Sequence, residues 1–240
     1  MDSLLLNLSN ISFHYPGGKP VLDRLEFRLN AGDRVGLVAP NGSGKTTLFH
    51  VIMGLLKPDS GTVEAFGRPR QEESDFVEVR RRIGLLFQDA DDQLFSPTVL
   101  EDVAFGPLNL GKTREEALAV ARETLDFLGL KGFEDRVTYK LSGGEKRLVS
   151  LATVLSMRPE VLLLDEPSTG LDSTTKETLV EILNGLDLSL ILISHEFDFL
   201  SRTARHIYTL EDGRIRLDAE LQIHTHQHAH LVGDQPHKHI

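Results

Sequence analysis

The run Arg34-Val35-Gly36-Leu37-Val38 passes directly into Ala39-Pro40-Asn41-Gly42-Ser43-Gly44-Lys45-Thr46-Thr47, and the apolar residues Leu48, Phe49, Val51 and Ile52 follow. A short apolar run that stops at a Pro- and Gly-rich turn reads as a buried strand, and the spacing after Thr47 reads as a helix. The chain is committed here to strand, tight loop and helix, the unit from which α/β sheets are built. Glycines at 42 and 44 let backbone N–H groups converge on crowded anionic oxygens, and the helix start faces the same point. Asn41, Gly42, Ser43, Gly44, Lys45, Thr46 and Thr47 are therefore candidates for binding a nucleotide triphosphate, with Lys45 on the outer phosphates and Thr46 on Mg²⁺. The common pattern G-x-x-x-x-G-K-[ST] begins with glycine, where this chain has Ala39. If that position required φ > 0, its methyl group would cost about 1 kcal/mol. The loop is expected to tolerate it, because the phosphate-facing amides lie later.

A second run, Val161-Leu162-Leu163-Leu164, ends in Asp165-Glu166. Unbroken apolar residues suggest a central parallel strand covered on both faces, opening at its C-terminal end into the site. Asp165 is then the candidate Mg²⁺ ligand, directly or through water, and Glu166 the group that polarises an attacking water. A third segment, Leu141-Ser142-Gly143-Gly144-Glu145, lies between the two. It reads as a helix N-cap whose free amides suit an added anion.

With these three segments the chain resembles the nucleotide-binding subunits of ABC transporters over roughly residues 3 to 218. The resemblance implies a P-loop-type core sheet, an antiparallel β subdomain and an inserted α-helical subdomain, about 89–157, within a domain covering 1–218. It also implies ATP and Mg²⁺ as cofactors and a second, head-to-tail ATPase subunit as partner. On the matching positions, Tyr15 fits the aromatic residue that stacks on adenine, and Gln88 the glutamine that contacts Mg²⁺ and water. Ser142, Gly143 and Gly144 fit the signature that binds the γ-phosphate held by the opposite subunit. Asp172, in Ser168-Thr169-Gly170-Leu171-Asp172, fits the loop crossing the dimer interface, and His195 the switch histidine beside the γ-phosphate.

Strands are expected at 4–13, 20–29, 34–39, 83–87, 161–164 and 190–194, another begins at Gly61, and a closing hairpin turns at Asp212-Gly213. Thr113-Arg114-Glu115-Glu116 is a capping-box pattern ahead of apolar Ala117, Leu118, Ala121, Leu125 and Leu128. The net charge of −10 opposes nucleic-acid wrapping, which needs a basic footprint. Arg80-Arg81-Arg82 is too short to reverse that and reads as a solvated face. The absence of cysteine excludes disulfides and thiolate chemistry and is compatible with a reducing cytosol. No signal peptide is expected, and no apolar run approaches the ~20 residues needed to span a bilayer. A membrane role must come through integral membrane subunits, placing the chain at the cytoplasmic face of the membrane.

The segment from Asp89 through Gln93-Leu94-Phe95-Ser96-Pro97-Thr98-Val99 to Glu101-Asp102-Val103-Ala104-Phe105-Gly106-Pro107 resembles, more narrowly, the ATPases of energy-coupling-factor importers of vitamins, cobalt or nickel. In those proteins the region grips a helix of a membrane subunit. Its apolar residues Leu94, Phe95, Val99, Leu100, Val103 and Phe105 suit either a partner or the subdomain's own core. Beyond 218 the chain is histidine-rich: His224, His226, His228, His230, His237 and His239 are six of its ten histidines. Alternating imidazoles, His224, His226, His228 and His230 above all, suit Ni²⁺, Co²⁺, Zn²⁺ or Cu²⁺, and affinity order alone does not choose between them; it is the transporter resemblance that favours Co²⁺ or Ni²⁺. Residues 219–240 are expected to be a disordered tail, with or without that role. Two other functions remain open at this point: a metal-binding protein with a degenerate ATP site, and a soluble ABC ATPase, which would lead one to expect paired cassettes or a coiled-coil insert.

Overall fold

The computed structural model describes residues 3–217. Among the described residues ten strands and seven α-helices follow one another as β1 (Leu4–His14), β2 (Pro20–Asn30), β3 (Arg34–Val38), α1 (Lys45–Ile52), β4 (Ser60–Ala65), β5 (Arg68–Arg70), α2 (Glu73–Arg82) and β6 (Ile83–Leu86). They continue with α3 (Val99–Asn109), α4 (Arg114–Phe127), α5 (Gly143–Leu155), β7 (Val161–Asp165), α6 (Ser173–Gly185), β8 (Ser189–Ser194), α7 (Phe197–Thr203), β9 (His206–Glu211) and β10 (Arg214–Leu217). Two sheets result, one in the order β2-β1-β4-β5 and one in the order β10-β9-β3-β8-β7-β6.

The six-stranded sheet positions the site. β3 pairs in parallel with β8 and β9, and β7 in parallel with β6 and β8. Val38 registers with Ser194, Asp165 with Ile193 and Leu86 with Leu164. The residues that follow β3, β6, β7 and β8 therefore leave along one edge, so the loop at 39–44, Gln88, Glu166 and His195 all emerge where open α/β sheets bind ligands.

Side-chain alternation explains how the sheet is held. Val161 and Leu163 of β7 and Ile191 and Ile193 of β8 face one apolar cluster, shared with α1 and the antiparallel sheet. Leu162, Leu164, Leu190 and Leu192 face a second, shared with α3 to α7. A period of two sends neighbours to opposite faces, and burial on both faces is why these strands read as unbroken apolar runs. Each fully buried Leu or Ile contributes about 1.5–3 kcal/mol. At the other edge Arg34, buried at the start of β3, donates to the carbonyls of Leu183, Leu186 and Thr203 and so ties the ends of α6 and α7 to the sheet.

Helices α3, α4 and α5 each start on a reciprocal capping box, Thr98 with Glu101, Thr113 with Glu116 and Ser142 with Glu145. The Thr113 box and the hairpin at Asp212-Gly213 lie where the sequence places them. The Arg80–Arg82 run ends α2, with Arg80 paired to Glu73 and Arg82 to Glu78 and Glu160. No helix among the described residues is long and apolar enough to cross a membrane. The histidine-rich tail lies outside the described residues.

Candidate functional site

The loop after β3 folds as its glycines require. Gly42 at φ 80° and Gly44 at φ 97° occupy left-handed conformations that let the loop curl over the start of α1. Ala39 is buried and has no positive φ, so its methyl group adds no backbone strain. Lys45, first residue of α1, reaches Glu166 Oε1 at 2.6 Å and Asn41 Oδ1 at 3.4 Å. Thr46 donates its hydroxyl to Asp165 Oδ2 at 2.9 Å. Tyr15 packs edge-to-face on Phe13 and hydrogen-bonds through its hydroxyl to Thr47 Oγ1 at 3.1 Å. Its ring lines a depression with Asn41, Gly42 and Ser43.

Glu166 follows β7 at φ 47°, a conformation that costs a non-glycine residue about 1–2 kcal/mol and turns the carboxylate back into the site. Its Oε2 meets His195 Nδ1 at 2.8 Å and accepts from Thr169 Oγ1 at 3.3 Å. Burial alone would push this carboxyl upward. Hydrogen bonding and charge from Lys45, and then His195, outweigh it and hold the group below its ordinary value. Asp165 behaves oppositely: burial raises it, against a smaller lowering by the Thr46 hydroxyl and the Lys45 charge.

Asp165 Oδ1 is buried and has no hydrogen-bond partner. An orphaned anionic oxygen beside a threonine hydroxyl is the donor chemistry of a hard, oxygen-seeking cation, so Thr46 and Asp165 fit Mg²⁺. Bound there, the ion would neutralise phosphate charge; the chain's own groups do the rest. Lys45 and the loop amides are placed to face an added anion, and Glu166, one oxygen on Lys45 and the other on His195, is held in its ionised form beside them, the state a general base requires.

Gln88 is exposed beyond β6 and lines a cleft of about 910 Å³ with Thr46, Asp165, Leu141 and Gly143. Ser142 caps α5 through Glu145 N–H, and Ser142 and Gly143 are exposed. Gly144 has a packing reason: a Cβ there would lie 2.9 Å from Thr175 Oγ1, whose hydroxyl donates to Asp172 Oδ2 at 2.7 Å. The signature start and Asp172, exposed at the N-cap of α6, thus abut within one chain. The fold gathers Asn41, Lys45, Thr46, Asp165, Glu166 and His195 through direct contacts. Tyr15 and Thr47 form a second group beside the loop, and Ser142, Gly143 and Asp172 are exposed and contact none of these six, with Gly143 lining the Gln88 cleft.

Two participants carry no signal that the sequence reading used. Thr169 sits three residues after Glu166, in hydroxyl reach of it. Arg147 is buried in α5, although beside Lys146 it reads as one more surface charge. Among the described residues no cluster of three or more histidines or acids is placed to hold a metal ion.

Residues 22–169 match the family described as ABC transporter. A putative ABC transporter ATP-binding protein of Nitratidesulfovibrio vulgaris is 52% identical over 98% of this chain and 86% of its own length. The energy-coupling factor transporter ATP-binding protein EcfA of Methanothermobacter thermautotrophicus is 40% identical over 88% of the chain and 69% of its own. The cobalt import ATP-binding protein CbiO of Rhodobacter capsulatus is 42% identical, over 88% and 77%. The dimeric post-hydrolysis structure of the ATP-binding cassette MJ0796 with ADP and phosphate superposes with a TM-score of 0.80 at 27% identity, over 88% of this chain and 96% of that one. Matched in its phosphate loop, its sheet and most of its length, the chain belongs to the ABC transporter family and is an ATP-hydrolysing cassette of the kind related to energy-coupling factor ATPases.

Proposed function

We propose that this chain energises a membrane importer of the energy-coupling-factor type for cobalt or nickel, working at the cytoplasmic face of the membrane as one half of a head-to-tail ATPase pair. The observation that carries the reading is the division of the site. Lys45, Thr46, Asp165 and Glu166 converge, whereas Ser142 and Gly143 stand exposed with amides directed by a helix start. Such a half-site is completed when the signature of a second subunit covers the γ-phosphate bound at Lys45. ATP then joins the halves, and hydrolysis, with charge separating between the products, releases them. The dimeric cassette with ADP and phosphate supports this arrangement. Gln88 and Mg²⁺, Tyr15 and adenine, and Asp172 and the interface keep the roles that the resemblance implies. Residues 89–157 are the unit through which opening and closing reach the membrane subunits.

The cargo assignment draws support from the cobalt importer relative and from the residues after Gln88. There Val99 and Val103 of α3 are buried in the core, while Phe105 and Leu108 of the same helix and Phe95 just before it are exposed, which leaves one face of a short helix for packing and another for a partner. His224, His226, His228 and His230 would concentrate Ni²⁺ or Co²⁺ near the transporter. Titrating Ni²⁺ into full-length and tail-truncated protein tests that role: identical weak binding removes it. The ATPase cycle is tested by Glu166→Gln, which is expected to bind Mg²⁺·ATP, hydrolyse it very slowly and accumulate as a dimer on gel filtration. Normal turnover in that variant excludes Glu166 as the base. Copurification of the untagged protein from its own membranes identifies the subunits it joins.

A further inference from the structure

The turn that carries Gln88 is fastened to the signature helix by three side chains. Arg147, only 5% exposed, donates Nη1 to the Phe87 carbonyl at 2.6 Å and Nη2 to the Gln88 carbonyl at 2.5 Å. Gln93 accepts from Phe87 N–H at 3.3 Å and donates to Ser150 O at 2.9 Å and Thr153 Oγ1 at 2.8 Å, both on α5. Lys146 Nζ reaches Asp91 Oδ1 at 2.5 Å.

The arginine contacts are the informative ones. The Phe87 carbonyl belongs to the peptide plane before the Gln88 Cα, and the Gln88 carbonyl to the plane after it. Peptide units are rigid, so pinning both planes fixes the φ and ψ between them and thereby the direction of the Gln88 side chain. A guanidinium presents its donors as a planar fork and holds two acceptors in one geometry, which an ammonium on a flexible stem does not. Burial makes the hold firm, because either carbonyl released without a partner costs about 1–3 kcal/mol.

We propose that Arg147 is a positioning residue that aims Gln88 from the signature helix, so that the direction of Gln88 is set by the same helix that Ser142–Gly144 begin. A displacement of α5 then reaches both halves of the chemistry together: the glutamine of this chain's own site and the signature offered to its partner's. The proposal rests on the reading of Gln88 as the group that contacts metal and water.

The test is a double-mutant cycle on the full-length chain. Arg147→Met is expected to bind a fluorescent ATP analogue within about twofold of wild type and to lose about 10- to 100-fold in kcat with KM little changed, the scale of a misplaced site group. Gln88→Ala is expected to lose a similar factor. In the Gln88→Ala background, Arg147→Met should cost no more than about twofold further, because an arginine that acts through Gln88 has nothing left to aim. Arg147→Lys, which keeps the charge and loses the fork, should resemble Arg147→Met, and it carries the cycle if the methionine variant fails to fold. Multiplicative losses in the double variant, or a lysine variant with wild-type kcat, overturn the proposal. A Gln88→Ala variant with unimpaired turnover instead overturns the role of Gln88, a different outcome from multiplicative losses.

Discussion

Lys45 Nζ lies 2.6 Å from Glu166 Oε1, and both side chains are almost wholly buried, 10% and 2% exposed. The amine expected to meet the outer phosphates is thus the counter-ion of the carboxylate expected to act as base. Two charges 121 positions apart in the sequence neutralise each other at the mouth of the sheet, and either left alone there would be a buried, unpaired ion. Lys45→Met should therefore do more than weaken ATP binding. It leaves the Glu166 carboxylate in a buried site with only His195 and Thr169, and should cost about 3–5 kcal/mol of stability in nucleotide-free buffer. The double variant Lys45→Met with Glu166→Gln should recover most of that loss. Urea unfolding of the three proteins at pH 7 checks the cycle.

The same pair sets a dependence on pH. Glu166 is held below the ordinary glutamate value of 4.5, so its contribution to stability is fully present above about that value and is lost as pH falls through the lower folded pKa. Wild type should lose stability relative to Glu166→Gln as the pH drops below about 4.5. Thermal midpoints of both proteins across pH 7 to 3 give the comparison. Parallel curves would show that the carboxylate is not stabilised as its contacts indicate.

Asp165 should show the opposite sign. Burial raises its carboxyl above the ordinary aspartate value of 3.8, and Oδ1 has no hydrogen-bond partner. The folded chain therefore carries an ionised group at a cost that grows as pH rises from 3.8 through the folded value and stays in place at pH 7. Asp165→Asn keeps an acceptor for the Thr46 hydroxyl and removes that charge. In the absence of nucleotide it should melt higher than wild type at pH 7, by roughly 1 kcal/mol or a few degrees, with the advantage vanishing in acid. The same variant should lose Mg²⁺-dependent hydrolysis. Calorimetry at pH 7 and pH 4 measures the first effect, and phosphate release measures the second.

These contrasts mark what the sequence can and cannot express. The strand ends, Gly42 and Gly44, Lys45 and Asp165 were legible because each sits at a local boundary where composition changes abruptly, and the parallel register then brings the boundaries to one edge; His195, at another strand end, was marked only by the family resemblance. The Thr113 capping box and the Ser142 N-cap were legible for the same reason, a reach of three residues. Arg147 was not, because its partners Phe87 and Gln88 lie some 60 positions away in the chain and a buried arginine and a surface arginine are spelled alike. Nor was the contact of Gly144 with Thr175, which needs the relative placement of two helix starts. The apolar strip after Gln88 was legible as a strip, but its division between core and surface depends on which face α3 turns to α4 and α5.

That division yields a prediction about the partner surface. Phe95 is 66% exposed and Phe105 46%, and their rings meet edge-to-face with centroids 4.8 Å apart, an arrangement that adds about 0.5–1.5 kcal/mol where it is formed. Asp102 fixes this geometry from below: its buried Oδ1 accepts from the N–H groups of Phe95 and Ser96 at 3.2 and 2.9 Å, holding the turn that presents the first ring. A rigid exposed aromatic pair on a helical subdomain is a surface suited to an apolar helix from a membrane subunit. Phe95→Ser combined with Phe105→Ser removes the pair without touching Val99 or Val103, so the fold and the binding of ATP should be unchanged. Recovery of membrane subunits with the tagged chain should fall at least tenfold, the loss expected when about 1.4 kcal/mol or more of a central contact is removed. Asp102→Ala, which frees the turn but keeps both rings, should weaken recovery less. Undiminished copurification in the double variant would assign the strip to the subdomain's own packing and place the partner elsewhere on the chain.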